Sequence, residues 1–384
     1  MIAALYPSIL HPDSNGKLVR YFDIRKLTER ECLRLMNVSE PYINDLCADR
    51  SKLSKSAIYK LAGNSIVVSC LYHIFHNIYL TQPDTEAQPS LFPEEVFRAE
   101  IPKQINLVTL CSGYDSQFMA LRRLVVQARL QGYDTSANLL AWAEFDPESK
   151  KPIDQQPAVI AHNILFPKYA DRNLGDMTKI DWQAFKDQHP DDEVDILTYS
   201  TPCTDISQAG KRAGIAKGSG TRSAVLWYTE QAIRVLRPKF LLQENVKALC
   251  NKVNKPHFDE WQEVCRNLGY TNYWTVMNSK DYGVPQNRER VFMLSVRNDL
   301  GLPDYKFPKP FSLDKCVADE LDKNEVDRSY FLRPEGIIKF LQQNEAPFDN
   351  GGVIYLETDH KFSIEELADI RMNHAASQDK SAQV

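Results

Sequence analysis

From residue 105 onward the chain alternates short apolar runs with segments in which apolar residues recur at helical spacing. The runs are "INLVTL" (105–110), "NLLAWAEF" (138–145), "VDILTYS" (194–200), "PKFLLQENV" (238–246), "YWTVMNS" (273–279) and "RVFMLSVR" (290–297). Between the first two, "SQFMALRRLVVQARLQGY" carries one apolar helical face and a Gly-Tyr exit; between the third and fourth, "SAVLWYTEQAIRVLRP" ends at a proline. This alternation predicts a doubly wound α/β domain around a mostly parallel sheet. Ahead of it, "LTERECLRLMN" predicts a helix in which Thr28 and Glu31 have the capping-box spacing, and a second helix follows "KLAGNS". The proline-bearing polar stretch "TQPDTEAQPSLFPEE" reads as a linker. These changes of pattern divide the chain into 1–24, 25–80, 81–104, 105–298 and 299–384.

Composition narrows the classes. The 384 residues are 25% charged with a net charge of -5, as in a globular protein. The longest apolar stretch, Ile66 to Leu80, is broken by Ser69, His73, His76 and Asn77, which predicts no membrane span. The N-terminus lacks the pattern of a secretion signal, so the expected location is the cytoplasm. Eight cysteines contain no Cys-x-x-Cys pair, and His73 and His76 have no thiol or acidic ligand at metal spacing, so no metal site is expected.

Candidate chemistry lies where the strands end. In an open α/β sheet, ligands bind at the carboxyl ends of the strands, near the point where strand order reverses. "TLCSGYDSQ" follows the first strand and opens a helix; Gly113 allows close backbone approach, and the helix start favours negative charge. The second strand ends in "AEFD", where Glu144 is the candidate acceptor for ribose hydroxyls, with Phe145 beside it. The third delivers Pro202 and Cys203 into a polar turn, in "YSTPCTDIS". A thiol there is either a presented nucleophile or a small buried hydrophobe. The fourth ends in "QENV", bringing Glu244 to the same edge, and "KDYGVPQNRERVF" adds Gln286, Arg288 and Arg290. Thiol, carboxyl and guanidinium suit a pyrimidine: a thiolate added at C6, with an acid at N3, makes C5 nucleophilic enough to attack an electrophilic methyl group.

The ordered set "PCTDIS", "QENVKAL" and "QNRERVF" resembles the cytosine-C5 DNA methyltransferase family, and the resemblance covers nearly the whole chain apart from its ends. It implies a Rossmann-like S-adenosylmethionine-dependent methyltransferase of a bacterial or viral modification system, with double-stranded DNA as substrate. It implies Cys203 as nucleophile, Glu244 as the acid at N3, and Arg288 as the residue positioning the base, with Gln286 and Arg290 in more structural roles and Asn245 bracing the nucleophile loop. For the cofactor it implies Cys111, Gly113, Asp115, Glu144, Phe145, Asp176 and Pro202. Cys111 stands where the family has phenylalanine and Asp115 where it has a second glycine, which implies altered cofactor affinity.

The segments "RKLTERECLRLMN" and "YKLAGNSIVV" resemble motifs that normally close this family's chain, so the sequence reads as circularly permuted, with Gly63 and Asn64 completing the methyl-donor pocket. In the basic loop "SQAGKRAGIAKGSGTRSA", Lys211, Arg212, Lys217 and Arg222 are expected to hold phosphates. The recognition region would be split between 1–24 and 299–384. It is small and, from residue 303, acidic, with 16 Asp+Glu against 10 Lys+Arg. It is therefore expected to be reduced or supplemented by a second polypeptide. A transferase acting on tRNA cytosine would use the same catalytic set.

Overall fold

The computed structural model describes residues 3–7, 11–12, 18–19, 22–81, 96–202, 206, 215–219 and 221–331, with the side chains of 3–24 and of 222 left aside. The chain forms two compact units, 1–32 with 316–384, and 33–315.

In the first unit, β1 (Ala3–Pro7) pairs antiparallel with β4 (Phe22–Lys26), and β2 (His11–Pro12) with β3 (Leu18–Val19). Arg25 is buried and forms a two-pronged ion pair with Glu31, each bond 2.8 Å long. The predicted capping box is present: Thr28 Oγ1 accepts from the Glu31 amide at 3.2 Å, and the Glu31 carboxylate accepts from the Thr28 amide at 2.7 Å. It opens α1 (Glu29–Arg34). Asp322 returns to the same place, accepting from Thr28 Oγ1 and donating its amide to Glu31.

The second unit holds α2 (Glu40–Ala48), α3 (Lys55–Asn64) and α4 (Val68–Tyr79), then β5 (Gln104–Leu110), α5 (Ser116–Leu130), β6 (Ser136–Ala143), α6 (Pro157–Leu165), α7 (Trp182–Gln188) and β7 (Ile196–Tyr199). It continues through α8 (Thr229–Leu236), β8 (Phe240–Val246), α9 (Lys255–Asn267), β9 (Tyr270–Asn278) and β10 (Glu289–Arg297). All six apolar runs become strands of one sheet, in the order β6-β5-β7-β8-β10-β9, with β10 alone antiparallel to its neighbours. One face is closed by α7, α8 and α9, whose Trp182, Ile233 and Trp261 join Leu197, Leu241 and Met293 of the strands in a single core. On the other, Tyr79 of α4 meets Phe240 of β8 edge-on at 5.9 Å. Strand order reverses between β5 and β7, so the loops leaving those two strands flank the crevice in which such sheets hold ligands.

Three expectations change. The unit boundaries fall at 32/33 and 315/316 instead of 24/25 and 298/299. The reason is local: Arg25 is tied to Glu31 within one unit, while Tyr305 packs edge-on to Phe97 at 5.0 Å in the other. The expected linker is packed in its second half, where Phe97 and Ala99 are buried and the Ala99 amide donates to Ile78 O; residues 82–95 lie outside the described residues. The helix read from "SAVLWYTEQAIRVLRP" begins as a tighter 3-10 turn, Arg222–Tyr228, and becomes α-helical only at Thr229. Among the described residues no helix is long and apolar enough to cross a membrane.

Candidate active site

The loop after β5 has an unusual backbone. Cys111, Gly113 and Asp115 all take positive φ, at 53°, 58° and 65°. For the two non-glycine residues this costs about 1–2 kcal/mol each, so the surroundings must hold them there. Asp115 caps α5, accepting from the Phe118 amide at 2.9 Å and from Thr109 Oγ1 at 2.9 Å, and is fully buried. Its carboxylate therefore occupies the helix start that the sequence reading left for a ligand, and holds the loop from within the protein. Gly113 faces open space, and its amide donates to Glu144 Oε2 at 2.7 Å.

Glu144 thus stands at the end of β6 against the loop, as expected, with half-buried Phe145 following. Asn173 accepts from the Glu144 amide at 3.2 Å and from the Gly175 amide at 2.9 Å, fixing the next turn. Sequence reading missed that role, although the signal was there: an asparagine two residues ahead of a glycine that takes φ 71°. Asp176 accepts from the amide and hydroxyl of Thr178 and pairs with Lys179 at 3.4 Å. Burial raises its pKa, but these bonds outweigh it and hold the carboxyl below its usual range. Cys111 Sγ lies 3.6 Å from Met177 Sδ, so sulfur lines the wall where the resemblance implies an aromatic ring.

Beyond β7, Cys203 lies outside the described residues, as do Lys211 and Arg212. The two residues leading to it are braced. Asn245 Nδ2 donates to Thr201 O at 3.2 Å, and Ser223 Oγ, which sequence reading missed, donates to Pro202 O at 2.6 Å. Lys217 bonds Glu230 at 3.3 Å and sits 5.2 Å from the Trp227 ring. The side chain of Arg222 is not among those described.

Glu244 lies in β8, two residues before its end, and is only 8% exposed. The register of β8 and β10 sets Phe292 opposite Glu244; strand alternation then turns Arg290, two residues earlier, onto the same face. Arg290 Nε lies 3.1 Å from Glu244 Oε1. Burial raises the Glu244 pKa, opposed by the charges of Arg290 and Arg288 and by hydrogen bonds from Arg290 and Ser200; the net direction is upward.

The two arginines make different contacts. Arg288 Nη2 donates to Gly63 O at 2.9 Å and Ser65 O at 2.8 Å, tying the α3–α4 junction to the β9–β10 connection. Arg288 precedes β10 and its Nη2 is taken up by those two carbonyls, whereas Arg290 is inside the strand and reaches Glu244. Gly63 and Asn64 are exposed and end α3, not start a helix, since Ser65 is the cap. The buried Oε1 of Gln286 has no hydrogen-bond partner among the described residues. No cluster of metal-ligating side chains occurs among them either.

One edge of the sheet thus gathers a strained loop with an acid on its amide, a braced approach to a cysteine, and a buried carboxyl of raised pKa against an arginine. The donor set fits S-adenosylmethionine: Glu144 and Asp176 are acceptors for hydroxyl and amino groups, and the space before Gly113 admits a ligand. Among known proteins, the chain is 41% identical over 159 residues to the Type II methyltransferase M2.ScrFI of Lactococcus lactis subsp. cremoris, covering 41% of this chain and 42% of that protein. It is 34% identical over 195 residues to the orphan methyltransferase M.SssI of Spiroplasma monobiae, covering 49% of each. It is 31% identical over 161 residues to the Type II methyltransferase M.HhaI of Haemophilus parahaemolyticus, covering 42% of this chain and 46% of that one. The chain therefore spans just under half the length of these curated relatives. The family model described as C-5 cytosine-specific DNA methylase matches residues 138–383, most of the chain and all of the Glu144, Glu244 and Arg290 region, and on that match the chain belongs to the C-5 cytosine-specific DNA methylase family.

Proposed function

We propose that the chain methylates C5 of a cytosine flipped out of duplex DNA, using S-adenosylmethionine. The observation that carries this reading is the Glu244–Arg290 pair at the edge to which Thr201 and Pro202 lead Cys203. Burial makes the Glu244 carboxyl hold a proton more readily than a free carboxyl does, and Arg290 orients it. In the proposed reaction the Cys203 thiolate adds to C6 while Glu244 donates its hydrogen bond or proton to N3, and the C5–C6 π electrons become available at C5. When bound, the cofactor supplies an electrophilic methyl group, which bonds to C5 and leaves its sulfur with the electron pair. A base then removes the C5 proton, and expulsion of Cys203 restores the double bond. Asn245 and Ser223 hold the approach to the nucleophile; Glu144, Asp176 and the loop at Gly113 receive the donor.

The permuted order remains part of the proposal. Its support is that α3 and α4, early in the chain, are fastened to the β9–β10 connection by Arg288, where a segment completing the donor pocket has to sit. In the same reading 1–24 and 299–384 make up a reduced recognition region, and the basic loop 211–222 contacts the backbone. The test is transfer of labelled methyl from S-adenosylmethionine to unmethylated DNA and, in parallel, to tRNA. Incorporation into DNA alone, abolished in Cys203→Ala, is expected; incorporation into tRNA alone would move the chain to the other substrate class.

A further inference from the structure

His162 of α6 is fully buried, stacked on Trp142 with ring centroids 3.6 Å apart and planes 17° from parallel. Its Nε2 lies 3.5 Å from Asp115 Oδ2, and neither ring nitrogen makes a hydrogen bond among the described residues. Two buried nitrogens without bonds are costly, and a buried carboxylate is costlier still unless donors surround it. Asp115 has two such donors, the Phe118 amide and Thr109 Oγ1; His162 is the third polar group facing it.

From this geometry we infer that Asp115 and His162 are a positioning pair for the methyl-donor loop, an inference that rests on the function proposed above. The loop is gripped on two sides. Glu144 holds the Gly113 amide at the ligand side, and Asp115, two residues on, is anchored from beneath. Asp115 keeps φ 65° only because its carboxylate is fixed, and the backbone at Gly113 follows from that. His162 sets where the carboxylate rests: stacking on Trp142 fixes the imidazole plane, which directs Nε2 at Oδ2. A separation just beyond hydrogen-bond length closes into a bond when a ligand presses on the loop, as polar contacts in unliganded sites commonly do. Neither side chain touches the donor; both act through the backbone of 111–115.

The test uses the full chain and measures S-adenosylmethionine affinity by calorimetry, KM and kcat for methyl transfer, and melting temperature without cofactor, for wild type, His162→Phe, Asp115→Gly and the double variant. His162→Phe keeps the stack on Trp142 and removes the nitrogens; His162→Gln replaces it if that variant fails to fold. The expected result is an affinity loss and a KM rise of about tenfold in His162→Phe, with kcat at saturating cofactor changed less than about twofold. The double variant is expected to bind no more weakly than Asp115→Gly alone, since the two act as one unit. A lower melting temperature with unchanged affinity would make His162 a packing residue and overturn the inference. Additive losses would overturn it as well. Failure of the wild type to bind the cofactor would instead sink the methyltransferase reading, and this inference with it.

Discussion

Arg290 and Glu244 face each other across β10 and β8 at 3.1 Å, in a position where the carboxyl is almost wholly removed from water. A buried carboxyl needs a partner, and one poised to give up a proton needs a partner that does not strip the proton too readily. Burial wins over the arginine charges here, so the folded protein holds the Glu244 proton more tightly than the unfolded chain does.

The sign of the pH effect follows. Because the folded pKa is raised, the stability associated with Glu244 is fully present below the ordinary carboxylate range and is lost as pH rises through the folded pKa. Urea melts of wild type and Glu244→Gln across that range should show the wild type losing ground to the variant as pH increases. Methyl transfer by Glu244→Gln is expected to fall by roughly 10²–10⁴, the usual worth of a positioned acid.

Arg290 and Arg288 should separate kinetically. Arg290→Gln is expected to lower kcat by more than about tenfold, because Glu244 loses its orienting partner. Arg288→Gln should act chiefly on the α3–α4 junction, with a stability loss of about 1–3 kcal/mol for two carbonyls deprived of a charged donor. Chemical denaturation and steady-state kinetics on the same preparations distinguish the two.

Asn245→Ala removes the donor to Thr201 O and leaves that buried carbonyl without it, a cost of about 1–3 kcal/mol. The approach to Cys203 loosens, so kcat is expected to drop more than the melting temperature suggests. Alkylation of Cys203 followed by mass spectrometry provides an independent readout, with a changed rate expected.

Gly113→Ala meets no neighbouring atom, but forces a side chain onto φ 58°. The expected penalty is about 1–2 kcal/mol. Cofactor affinity, measured by calorimetry, should weaken more in Glu144→Ala than in Gly113→Ala, because the former loses both the loop bond and the acceptor.

In the first unit, Arg25→Ala strands the Glu31 carboxylate inside the protein. A loss of about 3–5 kcal/mol is expected in denaturant melts.

Much of this arrangement was legible in the amino-acid order. The six apolar runs became the six strands, and the Thr28–Glu31 spacing became a capping box, because both signals are local and periodic. Glu144 and Glu244 lie near the carboxyl ends of β6 and β8 because the apolar runs that form those strands carry them there. What eluded sequence reading depends on contacts across the sheet. Which of two arginines two residues apart reaches Glu244 is set by the register of β10 against β8, and spacing is silent on register. That Asp115 caps α5 was not legible, because a cap side chain and a site side chain are the same residue type in the same place. His162 gave no signal, since its partner lies 47 positions earlier, as the numbering of the pair shows.

The bonds from Arg288 end on main-chain oxygens of Gly63 and Ser65. Every amino acid offers that same oxygen, so this fastening places no demand on which side chains occupy 63 and 65. Side chains there can be replaced one by one in a mutational scan without these two bonds registering the change. The side-chain information in this fastening sits in the codon for Arg288, alongside that for Ser69, whose hydroxyl donates to Tyr282 O in the same connection.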